Sequence, residues 1–293
     1  MSAARSMIGA GILFGIIQSQ TAQAKKAQDS YKSHKEINSI LQKVATDFPE
    51  FTHLEKMGTS RLGRDIFVLS LFSGEPSHNV FINGAHHGDE KASAYATLGL
   101  IKYLTQNRDE DRVSDLLSNF KIYIQPVVNP DGYDTNSRFD SMGIDPNRDY
   151  SFPGRSDDKS FRSPETRAVK NLLQSVPFIG SISFHSGMEG VLWPWCHSPK
   201  ENPHSKEFRK LARDAATAMD IVYYRQSHFD YSSRGEFIDY AYMKYQTLAL
   251  TFEVSLKTSP HKNTIEKIVQ RSIAGSLAYL ESLKLILEST SRT

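Results

Sequence analysis

Strand-length apolar runs alternate with helix-length segments along most of this chain, and that alternation constrains the fold more than any single motif does. The runs "DIFVLSLF" (65–72), "NVFINGA" (79–85), "KIYIQPVVN" (121–129), "FIGSISFHS" (178–186) and "TLALTFEVS" (247–255) read as strands. "SAYATLGLIKYL" (93–104), "PETRAVKNLLQS" (164–175), "KEFRKLARDAATAMD" (206–220) and "TIEKIVQRSIAGSLAYLESLKLIL" (264–287) read as helices. An earlier helix is marked by Ile37, Ile40, Leu41 and Val44, and Pro49 closes it. Strands that are apolar almost throughout are buried on both faces. The expected fold is therefore α/β: a mixed, mostly parallel twisted sheet with helices on both faces.

No Pro-, Gly- or Ser-rich linker, repeat or low-complexity tract interrupts residues 31–290, which read as one domain near the upper size for a single core. The composition, 39% hydrophobic and 23% charged over 293 residues, is that of an ordinary globular protein. Residues 1–24 differ. Arg5 precedes the apolar run "MIGAGILFGII", and Ala22 and Ala24 form a small-x-small ending. This is the pattern of a signal peptide cleaved after Ala24, with residues 25–30 a short polar lead. The run falls short of the roughly 20 residues a membrane-spanning helix needs, so no stable anchor is expected after cleavage. Export to a periplasm or the exterior follows. Without Arg5 the balance is 34 basic to 33 acidic residues, a net of +1, which argues against a nucleic-acid binder. Cys196 is the only cysteine, so stability must come from the core and any bound metal rather than from a disulfide.

In open α/β sheets, sites lie beyond the carboxyl ends of strands. Three of the expected strands end in ionisable residues: "NVFINGAHHGDE", "SISFHS" and "LALTFE". A His and a Glu separated by two residues can both reach one zinc ion, and a third ligand from elsewhere leaves the open position of a catalytic site. With the His first, the chain has two such pairs, His87–Glu90 and His204–Glu207. The first follows a buried strand. The second follows Pro203 in a polar stretch and reads as the start of a surface helix. His185, at the end of its strand, is either the third ligand or a core histidine with satisfied partners. There is no H-E-x-x-H, no cysteine cluster and no G-x-S-x-G elbow.

Taken in order, "GAHHGDE", "QPVVNPDGY", "SRFDSMGIDPNRDY", "SISFHS" and "YSSRGEFIDYAY…LALTFE" resemble the zinc metallocarboxypeptidases, the carboxypeptidase A-like family. "GTSRLGRDIFVLSL" resembles that family's first hairpin, so the resemblance covers nearly the whole chain from Tyr31. It implies one zinc ion held by His87, Glu90 and His185, with His86 in a supporting place and Ser186 as the serine that follows the third ligand. It implies Glu253 as general base and Arg138 as the group that polarises the scissile carbonyl and holds its oxyanion. Asn147 and Arg148 match the pair that binds the substrate's terminal carboxylate, a task suited to a bidentate guanidinium. Tyr231, 22 residues before Glu253, matches the mobile tyrosine that covers the substrate.

The resemblance further implies a pocket for the departing side chain formed by Leu192, Cys196, Phe237, Ile238 and Thr251, with Ile238 making its floor apolar. Glu236 reads as a solvated loop charge, or else as a wall carboxylate able to receive a basic head group. Pro146 and Asp149 depart from the family's usual Leu and Asn, and Asp149 is expected to alter carboxylate recognition. "NPDGY" reads as an architectural turn. No propeptide of usual length fits between Ala24 and Tyr31. The expected activity is zinc-dependent release of C-terminal residues from peptides or proteins by a monomer, apolar and aromatic residues first. A cell-wall stem-peptide amidopeptidase and a catalytically silent binding module are the alternatives.

Overall fold

The computed structural model describes residues 31–290. The expected leader and lead, residues 1–30, lie outside them. Eight strands form one sheet among the described residues: β1 (Thr52–Thr59), β2 (Asp65–Leu71), β3 (His78–Gly84), β4 (Phe120–Gln125), β5 (Phe178–His185), β6 (Glu189–Trp193), β7 (Tyr224–Gln226) and β8 (Leu248–Val254). Their order is β1-β2-β4-β3-β5-β8-β6-β7. The central block β4-β3-β5-β8 is parallel. β1, β2 and β4 join antiparallel on one flank, and β6 runs antiparallel to β8 on the other. The edge strand β7 pairs parallel to β6. The sheet is thus mixed with a parallel centre, as the apolar runs imply.

Among the described residues eight α-helices accompany it: α1 (His34–Asp47), α2 (Lys91–Gln106), α3 (Asp111–Asn119), α4 (Pro130–Thr135), α5 (Pro164–Ser175), α6 (Ser205–Ala218), α7 (Phe237–Tyr245) and α8 (Lys262–Thr290). Alternating side chains divide between two cores, as the strand period of two requires. Val80, Ile82, Ile122, Ile124, Leu250 and Phe252 face α1, α2, α3, α6 and α8. Phe81, Tyr123 and Ala249 face α5 and α7. Burying a side chain such as Phe81 contributes about 1.5–3 kcal/mol relative to leaving it exposed.

Two local expectations differ from the structure. β4 stops at Gln125, because Pro126 has no N–H for the ladder. "NPDGY" is not a simple turn: it opens α4, with Pro130 in the first turn and the Asn129 side chain accepting from the Gly132 N–H.

Candidate active site

β3, β5 and β8 are adjacent and parallel, so their carboxyl ends lie side by side. The register pairs Gly84 with Phe184 and His185 with Glu253. Beyond β3 the chain turns sharply at Ala85, whose φ is 49°. It then presses Gly88 against α4, where a Cβ would come within 2.0 Å of the Gly132 carbonyl carbon. Only glycine fits this approach, which carries the loop back to α2 with Glu90 at its N-cap.

The turn separates the two histidines. The His87 Nδ1 lies 2.6 Å from Glu90 Oε1, and the His185 Nδ1 lies 3.0 Å from Glu90 Oε2. The Ser186 N–H donates to the same Oε2 at 2.8 Å. One donor atom from each of His87, Glu90 and His185 falls within 4.8 Å of the others, and all three residues are buried. His86 points elsewhere. Its Nε2 is 2.9 Å from the Tyr150 hydroxyl, its Nδ1 is 3.4 Å from Ser183 Oγ, and its ring stacks on His185 at 5.6 Å. His204 starts α6 and bonds the Tyr242 hydroxyl at 2.7 Å, away from this cluster.

Two imidazoles and a carboxylate converging at this spacing suit a divalent transition metal, zinc above all. The electrostatics agree. Burial alone would lower the His87 pKa, but Glu90 and Asp145 outweigh it and hold it up to about 9. The site therefore draws positive charge to the point where these atoms meet.

Asp145 is a residue the sequence reading missed. Its Oδ1 lies 3.1 Å from His87 Nε2, and its Oδ2 accepts from Arg138 Nε at 2.9 Å. It thereby fixes both side chains, leaving Arg138 Nη1 3.2 Å from His87 Nδ1. The available signal was "DPN": an Asp before Pro is a helix cap, and Asp145 does accept from the Asn147 N–H at 2.9 Å. A cap that also orients a histidine is not legible from spacing.

Glu253 is partly buried, and its Oε2 is shielded from solvent without a hydrogen-bond partner in the structure. Burial, reinforced by the negative charge of Glu90, pushes its carboxyl well above the usual range. Asn147 Nδ2 lies 3.4 Å from His185 Nε2, while its Oδ1 accepts from the Phe237 N–H at 2.9 Å. Arg148 Nη2 donates to the hydroxyl of the half-exposed Tyr231 at 3.2 Å. Asn147 thus links this loop to His185 at the carboxyl end of β5, where Glu253 is its cross-strand partner.

Of the residues expected around a side-chain pocket, Leu192 and Thr251 are cross-strand partners on β6 and β8. Cys196, Phe237 and Ile238 are buried together in the second core. Glu236 is not a solvated loop charge. It is 4% exposed, lies 3.2 Å from Arg148 Nη1 and accepts from Ser233 Oγ and from Cys196 Sγ. Asp149 turns away from Arg148. It is buried, and it accepts from the Ser163 N–H at 2.9 Å and from Thr166 Oγ1 at 2.7 Å at the start of α5. Its expected effect on carboxylate recognition has no contact to act through.

A family model described as zinc carboxypeptidase, peptidase M14, matches residues 37–275. Carboxypeptidase B of Astacus astacus is 28% identical over 66% of this chain and 74% of its own length. Human carboxypeptidase D is 29% identical over 60% of this chain, which spans only 14% of that much longer protein. Among solved structures, carboxypeptidase A from Helicoverpa armigera superposes with a TM-score of 0.78 at 21% identity, covering 86% of this chain and 73% of that one; at that identity the likeness is one of fold. With the family model spanning most of the sheet and every strand end described above, this chain belongs to the zinc carboxypeptidase family, peptidase M14, and is a metallocarboxypeptidase hydrolase.

Proposed function

We propose that the protein is an exported carboxypeptidase that removes single C-terminal residues from peptides or proteins. Apolar and aromatic residues leave first, and Lys and Arg more slowly. The observation that carries this reading is the juxtaposition of three groups at one set of strand ends: the His87, Glu90 and His185 donors, the Glu253 carboxylate, and the Arg148–Tyr231 pair. Export is consistent with the leader-like residues 1–24, and among the described residues no helix is long and apolar enough to cross a membrane.

Members of this family use one zinc, and His87, Glu90 and His185 form the group here able to bind it. When bound, zinc supplies Lewis acidity for the scissile carbonyl and for the attacking water. The protein's own groups do the rest. Arg148 grips the substrate's terminal carboxylate, Asn147 lies beside it, and Tyr231 covers it. Because only a free terminal carboxylate answers Arg148, cleavage is confined to the last residue. Glu253 accepts the proton of the attacking water and returns it to the departing amine. Arg138, held by Asp145, stabilises the oxyanion that develops on the carbonyl, a contribution of roughly 3 kcal/mol per donor. Ile238 makes the surroundings of the departing side chain apolar.

Glu253→Gln preserves shape but cannot take the proton. Zinc content and peptide binding should stay near normal while turnover falls at least about 10²-fold on peptides ending in Phe, Leu, Lys and Arg. Turnover close to that of the unaltered protein would remove Glu253 from the chemistry. Faster release of Lys or Arg than of Phe or Leu would overturn the side-chain preference alone.

A further inference from the structure

Arg148 is not a free cation waiting for a substrate. Its Nη1 donates to the Asn147 carbonyl at 2.7 Å and lies 3.2 Å from Glu236 Oε1. Its Nη2 reaches the Tyr231 hydroxyl at 3.2 Å. One arm of the guanidinium is thus committed to a buried carboxylate of the protein itself, and the other faces the half-exposed tyrosine.

Glu236 cannot swing out of the way. On one side Tyr150 donates its N–H to the Gly235 carbonyl at 3.1 Å, and on the other Phe237 donates to Asn147 Oδ1 at 2.9 Å. Gly235 has φ +79°, and a Cβ there would come 2.6 Å from both the Arg148 carbonyl oxygen and Arg155 Nη2. The loop is therefore clipped to residues 147–150. The carboxylate at its end is further held by Ser233 Oγ and by Cys196 Sγ at 3.2 Å.

We propose that Glu236 is a specificity-determining residue that, by sharing Arg148 with the substrate's terminal carboxylate, excludes C-terminal Asp and Glu. This rests on the reading of Arg148 as the carboxylate clamp. One guanidinium then faces two carboxylates, and a side-chain carboxylate on the departing residue would add a third negative charge beside them. Two like charges within about 10 Å at an effective dielectric near 20 cost more than about tenfold in binding. A neutral side chain of the same shape pays none of this.

The test compares kcat/KM of the zinc-loaded protein for two peptide substrates that differ only in a C-terminal Gln or Glu. The unaltered protein should favour Gln by at least about tenfold. Glu236→Gln should shrink that ratio at least about fivefold, and Glu236→Asp, which keeps the charge, should retain it. Because the readout is a ratio within one protein, a general loss of rate does not enter. Equal use of Gln and Glu by the unaltered protein overturns the proposal even if the Gln variant does not fold, as does an unchanged ratio in a folded Glu236→Gln. Failure to release any C-terminal residue, by contrast, overturns the carboxypeptidase reading beneath it.

Discussion

His86 and His87 are neighbours in sequence, yet beyond the turn at Ala85 the His87 ring meets Glu90 while the His86 ring meets Tyr150. His87→Ala removes one of three converging donors and should abolish tight zinc binding together with activity. His86→Ala leaves the donor set intact and removes contacts to Tyr150 and Ser183, so most of both should remain. Metal analysis of the two purified variants checks this, and equal zinc loss would overturn the assignment. At this scale the sequence shows residue types and order, which single out His87, Glu90, His185 and Glu253 as candidates because each lies in or just beyond the carboxyl end of a recognisable strand. Asp145 and Glu236 were not legible in the same way. Asp145 reads as a cap, and "YSSRGE" reads as a polar surface loop. Glu236 is buried only because Arg148, 88 residues earlier, and Cys196, 40 residues earlier, fold against it.

The elements that sequence periodicity revealed are those with one wet face or a pure apolar run. α7, "FIDYAYMKY", was missed because Phe237 to Tyr242 are all buried, so no polar stripe marks a helical period. α1, by contrast, is amphipathic and easily read, but its docking is not. The His34 N–H donates to Asp134 Oδ1 at 2.9 Å, and Asp134 also holds Arg64. Burial lowers the His34 pKa to about 4, against the 6.5 of an unfolded chain, with Asp134 opposing the shift. A histidine depressed in the folded state contributes no penalty above pH 6.5, where it is neutral in both states. As pH falls from 6.5 through 4, the unfolded chain takes the proton first and stability is lost, by up to about 3 kcal/mol. Thermal denaturation across this window should show the loss, and His34→Gln should flatten it. An unchanged pH slope in the variant would place the acid sensitivity elsewhere.

Across the whole molecule, the alternation of runs specifies an α/β sheet sandwiched between helices, and the parallel centre β4-β3-β5-β8 is what brings three chemically distinct strand ends together. The β6-β7 edge was less legible, because these strands are only five and three residues long. The central claim is that this assembly reads a free C-terminus. The most direct measurement incubates the zinc-loaded protein with matched peptides, one ending in a free carboxylate and the other in an amide, and identifies what is released by mass spectrometry. The account predicts loss of the last residue from the free peptide, with the amidated one slower by at least about 10²-fold, since Arg148 has no charge-assisted partner there. Equal cleavage of the two, or cleavage at internal bonds, would contradict it.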